Sequence, residues 1–432
     1  MSTSMIEMLG NAGATRPVGL YQLQKDVLED FRYTDSDGSG IDVAVIDTGV
    51  APVDGLDGDK VLHGPDLSFE GTDPQVAYLD TYGHGTHMAG IIAGDRDGHP
   101  GVAPGARIVS VKVAGHDGIT TVPQVVAAID WVVEHRDTDG LNIRVLNLSL
   151  GQAGVTDHRG DLLSAAAERA WNAGIFVVVA GGNRGAAPGH LDSPAIDPYV
   201  MTVGGADNSS GVDEELQPVT DWSSRGDGSR NPDLVAPGLS IASYRVPGSA
   251  VDVAAPSARY GSDLFLGSGT SQSAAVISGV AARMFDHFPN MTNDQLKETL
   301  RRNTETELDF GAEAIGTGVI DAEDAYEDPK YDRPPQSFAP AAGRGTGIAA
   351  PSGATWSGGG WSGATWSGAT WSGLAWTGAT WSGATWSGAT WSGAPWSGAT
   401  WSGATWSGAT WSGATWSGAT WSGATWSGNG WS

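Results

Sequence analysis

Cysteine is absent from this sequence of 432 residues, and positive charge is scarce. Without cysteine the chain has no disulfide framework, no thiolate zinc site and no cysteine nucleophile. Only 23 Lys and Arg residues accompany 49 Asp and Glu residues, so the formal net charge is −26. This balance argues against nucleic acids and anionic membranes as partners. No segment approaches the ~18 consecutive apolar residues of a membrane-spanning helix, so we expect no transmembrane segment.

Charge and aromatic residues are divided unevenly along the chain. All acidic residues precede position 341, and 16 of the 19 tryptophans follow it. Such a division indicates an acidic globular part followed by a low-complexity tail. We therefore expect four segments: an N-terminal extension over residues 1–39, a folded α/β domain over 40–328, a Pro/Ala/Gly-rich linker over 329–352 and a repeat tail over 353–432.

Short apolar runs alternate with helix-like segments in the first three-quarters of the chain. The runs predict buried strands, and apolar residues three or four positions apart predict helices. Such alternation is typical of an α/β fold around a mostly parallel sheet. A capping box at Thr292 and Gln295 predicts the start of a further helix. The predicted strands are Ile41–Asp47, Arg107–Val113, Ile143–Leu150, Ile175–Ala180 and Tyr199–Gly205, and the predicted helices are Leu20–Phe31, His84–Gly94, Val122–Arg136, Asp161–Gly174 and Ser271–Phe285.

Three polar residues stand where such folds bind ligands, beyond the carboxyl ends of the strands. Asp47 ends the first strand, His84 begins a helix in GHGTHMAG, and Ser271 begins another in GSGTSQSAA. A serine, a histidine and a carboxylate are the groups of nucleophilic acyl transfer. The histidine takes the serine proton, and the carboxylate fixes the histidine tautomer. Asn183, after VVVAGG, offers a side-chain amide for the oxyanion.

The segments around these residues resemble the subtilisin family of serine proteases. The order Asp, His, Ser matches that family. The resemblance implies a subtilisin-like three-layer fold with a mostly parallel central sheet, and a serine endopeptidase with Asp47, His84 and Ser271 as its triad. It also implies an oxyanion hole of Asn183 and the Ser271 N–H, and no metal in the chemistry. The matching segments, spread over roughly residues 40–328, are VAVIDTGV, HGTHMAGIIAG, APGARIVSVKV, VLNLSLG, VVVAGGN, DWSSRGDGSRNPDLVAPG and GTSQSAA.

The same resemblance assigns the substrate-binding residues. Two short segments would form the walls of the cleft for the residue before the scissile bond, and a third would pair with the substrate. Glycines there let an extended substrate backbone approach closely and add as a strand. The first wall is Ser149, Leu150 and Gly151, the second is Ala180, Gly181 and Gly182, and the third segment contains Gly118.

Two positions depart from the family pattern or bear on specificity. The family usually has proline at the fourth position after the nucleophile, where this chain has Ala275. Proline suits a first helical turn but donates nothing to chemistry, so we expect a small effect on stability and intact activity. Arg184 follows Asn183. A solvated arginine at the rim and a preference for acidic side chains are both compatible with it, so specificity stays open.

The remaining histidines and several aspartates have simpler interpretations. We expect turn or packing histidines and surface or capping aspartates. The acidic stretch 54–59 is compatible with the structural calcium of many family members, but it gives no legible ligand set. The histidines concerned are His87, His99, His116 and His190, and the aspartates are Asp42 and Asp66.

From residue 353 the chain repeats Ala-Thr-Trp-Ser-Gly with few variants. A period of five matches neither a helix nor a simple strand. Three hypotheses compete: a disordered segment, a β-solenoid with five residues per side, and an array of exposed indoles that stack on sugar rings. Because glycine and serine cost much entropy to order, we expect disorder in isolation, with attachment to a polysaccharide or cell surface through the tail.

The expected partners are protein or peptide substrates, and we expect a monomer. An uncharged indole array favours an extracellular or cell-surface location, although residues 1–40 contain no signal peptide, and a cytoplasmic location is the alternative. The rival function is an inactive subtilisin-like scaffold whose Trp-repeat tail binds polysaccharide or a cell surface.

Overall fold

The computed structural model describes residues 17–341 except 188, 190, 208–218, 306–309 and 333, together with the backbone of short strands between 355 and 431. The chain divides into two compact units, residues 1–158 with 166–338 and residues 159–165 with 339–432. Residues 1–16 of the expected extension, His190, and residues 333 and 342–352 of the expected linker lie outside the described residues.

The described part before the tail alternates strands and helices, as the apolar pattern predicts. The strands are β1 (Val18–Gly19), β2 (Asp42–Asp47), β3 (Val61–Asp66), β4 (Arg107–Lys112), β5 (Ile143–Leu148), β6 (Phe176–Ala180), β7 (Met201–Ala206), β8 (Leu234–Pro237), β9 (Ile241–Tyr244), β10 (Arg259–Tyr260), β11 (Leu264–Gly267), β12 (Thr304–Glu305) and β13 (Val319–Ile320). The helices are α1 (Leu20–Leu28), α2 (His84–Ala93), α3 (Val122–His135), α4 (Leu162–Asn172), α5 (Ala250–Ala254), α6 (Thr270–His287), α7 (Asn293–Arg302), α8 (Ala312–Ile315) and α9 (Ala322–Glu327).

The first unit is built around a nine-stranded sheet in the order β12-β13-β8-β7-β6-β5-β2-β4-β3. Every neighbouring pair except β12 with β13 is parallel. All residues of β2, β6 and β7 are buried, as expected of strands covered on both faces. The predicted α/β fold with a mostly parallel sheet is confirmed.

Helix α6 is the central helix of the core. Its residues from Thr270 to Phe285 are all buried, and it packs against α2 and against β5, β6 and β7. Gly279 allows a close approach to α2 and to the segment that follows it, since a Cβ there would lie 2.6 Å from the Val102 side chain and 3.2 Å from the Ile92 carbonyl oxygen. The predicted capping box at α7 is also present, with Gln295 N–H donating to the Thr292 hydroxyl.

A second sheet, in the order β1-β9-β11-β10, was not predicted. Its strands are two to four residues long, and β1 pairs in parallel with β9 more than 200 positions away. Strands this short carry little periodic signal, and their pairing depends on long-range packing.

We expect Asp42 to be a surface or capping group, and the structure does not place it at the surface. It is completely buried, and its carboxylate binds Arg107 Nε at 2.7 Å and Nη2 at 2.8 Å. The parallel register of β2 and β4 sets Asp42 opposite Arg107, which explains how the charge is accommodated. Asp66 is a capping group as predicted, since it accepts the N–H groups of Ser68 and Tyr78.

The second unit contains the repeat. Its described strands start about five residues apart. Each strand up to Thr410–Ser412 pairs in parallel with the strand twenty residues later, so that Trp356 is opposite Trp376 and Trp361 is opposite Trp381. They form four four-stranded sheets. This pairing matches the five-residue β-solenoid hypothesis and differs from the disorder that we expected. A parallel ladder provides hydrogen-bond partners for the backbone groups of the paired strands, which offsets part of the entropy cost of ordering.

Candidate active site

Asp47 and His84 are in direct contact at the carboxyl end of the central sheet. Asp47 ends β2 and His84 begins α2, and neither is more than 2% exposed. His84 Nδ1 lies 2.7 Å from Asp47 Oδ1 and 2.8 Å from Oδ2. Because a carboxylate accepts, Nδ1 carries the hydrogen, and Nε2 is left as the acceptor of the neutral ring. Nε2 is buried and has no hydrogen-bond partner among the described residues.

Asp80 ties the start of α2 to the end of β2. Its buried carboxylate accepts the Thr48 hydroxyl at 2.8 Å and the Gly83 N–H at 2.6 Å. It also accepts the N–H and the hydroxyl of Thr86, at 2.8 and 2.7 Å. The Thr48 hydroxyl in turn accepts the Gly85 N–H at 2.9 Å. Burial raises the pKa of Asp80, and these hydrogen bonds oppose that rise.

Gly85 allows α2 to pass directly against the turn after β2. A Cβ on Gly85 would lie 2.1 Å from the Gly49 carbonyl oxygen. No side chain fits at this distance without a backbone shift. The glycine after His84 is therefore a packing requirement of the contact between His84 and Asp47.

Ser271 lies in the first turn of α6, 8% exposed, beside the residues that follow β5. Its hydroxyl donates to the Ser149 carbonyl at 3.2 Å, and the Ser149 hydroxyl donates to the Ser271 carbonyl at 3.1 Å. The Ser271 hydroxyl is therefore not hydrogen-bonded to His84 in this structure. Catalytic hydrogen bonds often form only with substrate bound, and a change of the Ser271 rotamer redirects its hydroxyl.

Asn183 is held by Thr270, the residue before Ser271. Asn183 Oδ1 accepts both the N–H and the hydroxyl of Thr270, each at 3.0 Å. The Thr270 hydroxyl also accepts the Gly182 N–H at 3.0 Å. Since a backbone N–H donates to Oδ1, the amide orientation is fixed, and Nδ2 is left to donate to another group. A Cβ on Gly269 would lie 3.1 Å from Nδ2, closer than an ordinary contact, so glycine at this position leaves room around the amide.

The two expected walls of the cleft follow neighbouring strands, since Ser149 comes directly after β5 and Ala180 ends β6. Asp192 lies against both walls. A Cβ on Gly151 would lie 2.7 Å from Asp192 Cβ, and a Cβ on Gly182 would lie 2.6 Å from Asp192 Oδ2. Arg184 Nη2 lies 2.8 Å from Asp192 Oδ1, so an ion pair stands beside the walls.

Gly118 adopts a positive φ of 67°, and a Cβ there would lie 2.7 Å from the Tyr82 ring. Tyr82 is buried, and burial, followed by the charge of Asp47, raises its pKa to about 12. The Tyr82 ring therefore stays neutral and serves as an apolar support for the segment that contains Gly118.

Two other histidines among the described residues, His87 and His116, have structural contacts. His87 is buried in α2, and its Nε2 donates to the Phe265 carbonyl at 3.0 Å. Burial lowers the pKa of His87 to about 4, so its ring is neutral near pH 7. His116 Nδ1 lies 3.1 Å from the Thr81 carbonyl oxygen in an exposed turn.

Asp80 and Asp192 are the residues of this region that the sequence did not indicate. Asp80 comes four positions before His84. In the sequence, the hydrogen-bond donors to its carboxylate are indicated only by the glycine and threonine residues nearby. Asp192 comes nine positions after Asn183, and it reaches the expected cleft walls only through the folding of the loop between β6 and β7.

Residues 38–332 match the model of the Subtilase family, and the chain belongs to that family. It is 35% identical over 298 residues to serine protease AprX of Bacillus subtilis, covering 67% of this chain and 66% of that protein. It is 34% identical over 256 residues to subtilisin-like protease 1 of Arthroderma gypseum, covering 59% of this chain and 45% of the relative.

Among solved structures, fervidolysin from Fervidobacterium pennivorans, described as a keratinolytic enzyme related to subtilisin, superposes with a TM-score of 0.58 at 27% identity. The match covers 73% of this chain and 46% of that one. The chain thus spans between about half and two-thirds of the length of these relatives. Among the helices described, none has the length and apolar character that a membrane crossing needs.

Proposed function

We propose that this chain is a serine endopeptidase that hydrolyses peptide bonds through an acyl-enzyme on Ser271. The observation that carries the proposal is the buried contact of His84 Nδ1 with both oxygens of Asp47, which leaves Nε2 as a base without a partner among the described residues. Membership of the subtilase family and the likeness to serine protease AprX support it.

In the proposed reaction, His84 Nε2 takes the proton of the Ser271 hydroxyl as its oxygen attacks the scissile carbonyl carbon. Asp47 stabilises the imidazolium that results. The negative charge on the substrate oxygen is stabilised by Asn183 Nδ2 and by the Ser271 N–H. His84 then donates its proton to the leaving amine, and a water molecule activated by His84 releases the acid and restores Ser271. Subtilases need no catalytic cofactor.

The substrate is proposed to lie as an extended strand along Ser149–Gly151, with Gly118 on its other side. The side chain before the scissile bond would enter between this wall and Ala180–Gly182. Structural calcium, a monomeric state and an extracellular location stay predictions, as does attachment through the repeat.

The test is hydrolysis of an unfolded protein substrate by the full chain, with cleavage sites read from the new amino termini by mass spectrometry. Ser271→Ala should abolish hydrolysis. Ser273→Ala is the matched control. Ser273 is a buried serine two positions after Ser271, and its hydroxyl donates to the Ala236 carbonyl. The control should keep its activity. Equal cleavage by parent and Ser271→Ala would refute the assignment of the nucleophile.

A further inference from the structure

Three side chains of types that can bind a metal ion lie close together at the loop between β6 and β7. His158 belongs to the short 3₁₀ turn His158–Gly160, Glu168 lies in α4, and Asp197 lies in the loop. One ligand atom from each lies within 4.8 Å of the other two. Across the described ranges, no other trio of His, Asp or Glu side chains meets this condition.

Asp197 supplies the observation that points to a ligand. It is completely buried, and its Oδ1 accepts the Tyr199 N–H at 2.9 Å. Its Oδ2 is buried and has no hydrogen-bond partner among the described residues. A buried carboxylate oxygen without a partner costs free energy unless a cation or a proton occupies the space beside it.

The neighbouring cationic side chains are directed elsewhere. Lys297 Nζ lies 3.3 Å from Asp233 Oδ1 and donates to the carbonyls of Pro198 and Val200, each at 2.7 Å. Arg230 Nη2 lies 3.1 Å from Asp233 Oδ2. Lys297 and Arg230 therefore contact Asp233, and Lys297 also donates to the loop backbone.

We propose that His158, Glu168 and Asp197 bind one divalent transition-metal ion such as Zn²⁺ or Mn²⁺. An imidazole nitrogen with two carboxylate oxygens suits these ions, whereas Ca²⁺ takes oxygen ligands alone. Ligands bound to zinc at about 2.0–2.2 Å lie at most about 4.4 Å apart, so a small closure of the side chains brings all three into reach.

Such an ion would fix the loop that carries Asp192. Asp197 N–H donates to the Pro194 carbonyl at 2.9 Å, and Ser193 exchanges two 2.9 Å backbone hydrogen bonds with Gln152, next to the cleft wall residue Gly151. The ion would thereby connect α4 to the loop whose Asp192 lies against the expected cleft walls. It would act on stability and not on the chemistry at Ser271.

The experiment uses the full chain with Ser271→Ala, so that self-cleavage plays no part and the outcome is independent of the proposed protease activity. The protein is dialysed against a chelator and titrated with ZnCl₂, and separately with MnCl₂. Calorimetry gives the affinity and the number of ions, and thermal unfolding gives the gain in Tm.

We expect one bound ion per chain and a rise in Tm. His158→Ala and Glu168→Gln should each weaken binding about tenfold or more and reduce the rise in Tm. His99→Ala is the matched control, because His99 is likewise half-buried and lies outside the cluster. It should bind as the parent does.

Unchanged affinity and stoichiometry in His158→Ala would overturn the proposal, since the ion would then be held elsewhere. The proposal would also be overturned if millimolar ZnCl₂ and MnCl₂ gave neither a heat of binding nor a change in Tm. A proton shared between Glu168 and Asp197 would then account for the two buried carboxyl groups. Circular dichroism checks the folding of Glu168→Gln. Because His158 is only half-buried, its variant remains decisive if Glu168→Gln fails to fold.

Discussion

The Thr48 hydroxyl donates to the Asp80 carboxylate at 2.8 Å, directly behind the contact between Asp47 and His84. Asp80 thereby joins the residue that follows β2 to the first turn of α2. Every group that contacts the two Asp80 oxygens is a hydrogen-bond donor. The NH₂ group of an asparagine at this position would therefore face donors and lose these hydrogen bonds. Asp80 is thus a positioning residue for the proposed triad.

Asp80→Asn should lower kcat about 10- to 100-fold with little change in KM, because the geometry of the base shifts while the cleft walls remain. Steady-state kinetics on a peptide substrate measures both constants. Asp66→Asn is the control, since Asp66 caps a turn outside this network. A variant that loses stability but keeps the kcat of the parent would show that Asp80 serves only the fold.

Removal of the Asn183 amide should affect the transition state alone. Asn183→Leu should lower kcat about 10²–10³-fold, the magnitude found for one such donor in subtilisin, and leave KM nearly unchanged. Thr270→Ser keeps the N–H and the hydroxyl that orient Asn183, and it should remain close to the parent. A large rise in KM in Asn183→Leu would instead place the amide in ground-state binding.

The ion pair of Arg184 and Asp192 should set the charge preference before the scissile bond, if the proposed cleft is correct. Each charge neutralises the other at 2.8 Å, so the parent should disfavour both acidic and basic side chains there. Asp192→Asn leaves the arginine charge uncompensated and should raise relative kcat/KM for acidic side chains about tenfold. Arg184→Gln should do the same for basic ones.

Profiling with a peptide library that varies this one side chain measures both preferences. The two variants should shift in opposite directions. A common shift, or none, would show that the pair supports the loop and does not meet the substrate.

Asp252 should make stability depend on pH in the acid range. The Arg245 guanidinium, with Arg259 and the Gly248 N–H, holds the pKa of this buried carboxyl well below its usual range. Because the folded pKa lies below the unfolded one, this stabilisation is complete above the unfolded pKa of about 3.9 and is lost as pH falls through the folded pKa.

Asp252→Asn should therefore lower the free energy of unfolding by about 1–3 kcal/mol at pH 7, and the difference from the parent should shrink as pH falls below about 4. Urea unfolding in the Ser271→Ala background measures it. Asp97→Asn is the control, since Asp97 is an exposed aspartate outside this cluster. A difference that stays constant down to the lowest pH would contradict this assignment.

The central fold and most of the site follow from local sequence patterns. Apolar runs such as Ile175–Ala180 predict buried strands because a parallel sheet covers both faces. Asp47, His84 and Ser271 could be proposed because each follows or begins such an element. Gly85, beside His84, shows the physical basis of one motif, since only glycine fits against the Gly49 carbonyl.

Other features depend on contacts that a single sequence does not contain. The burial of Asp42 requires Arg107 in register on the next strand. The pairing of β1 with β9 joins residues far apart in the chain. Asp192 reaches the cleft walls only through the closed loop. In the repeat, strands pair with strands twenty residues later, and this pairing depends on contacts between successive coils. Composition alone favoured disorder.

The most direct measurement of the central claim is intact mass after exposure of the full chain to a serine-directed fluorophosphonate. The proposed nucleophile, base and oxyanion hole predict a single adduct on the parent and none on Ser271→Ala. The Ser273→Ala control should be labelled like the parent. A folded parent that takes up no adduct, or an adduct that persists in Ser271→Ala, would contradict the account.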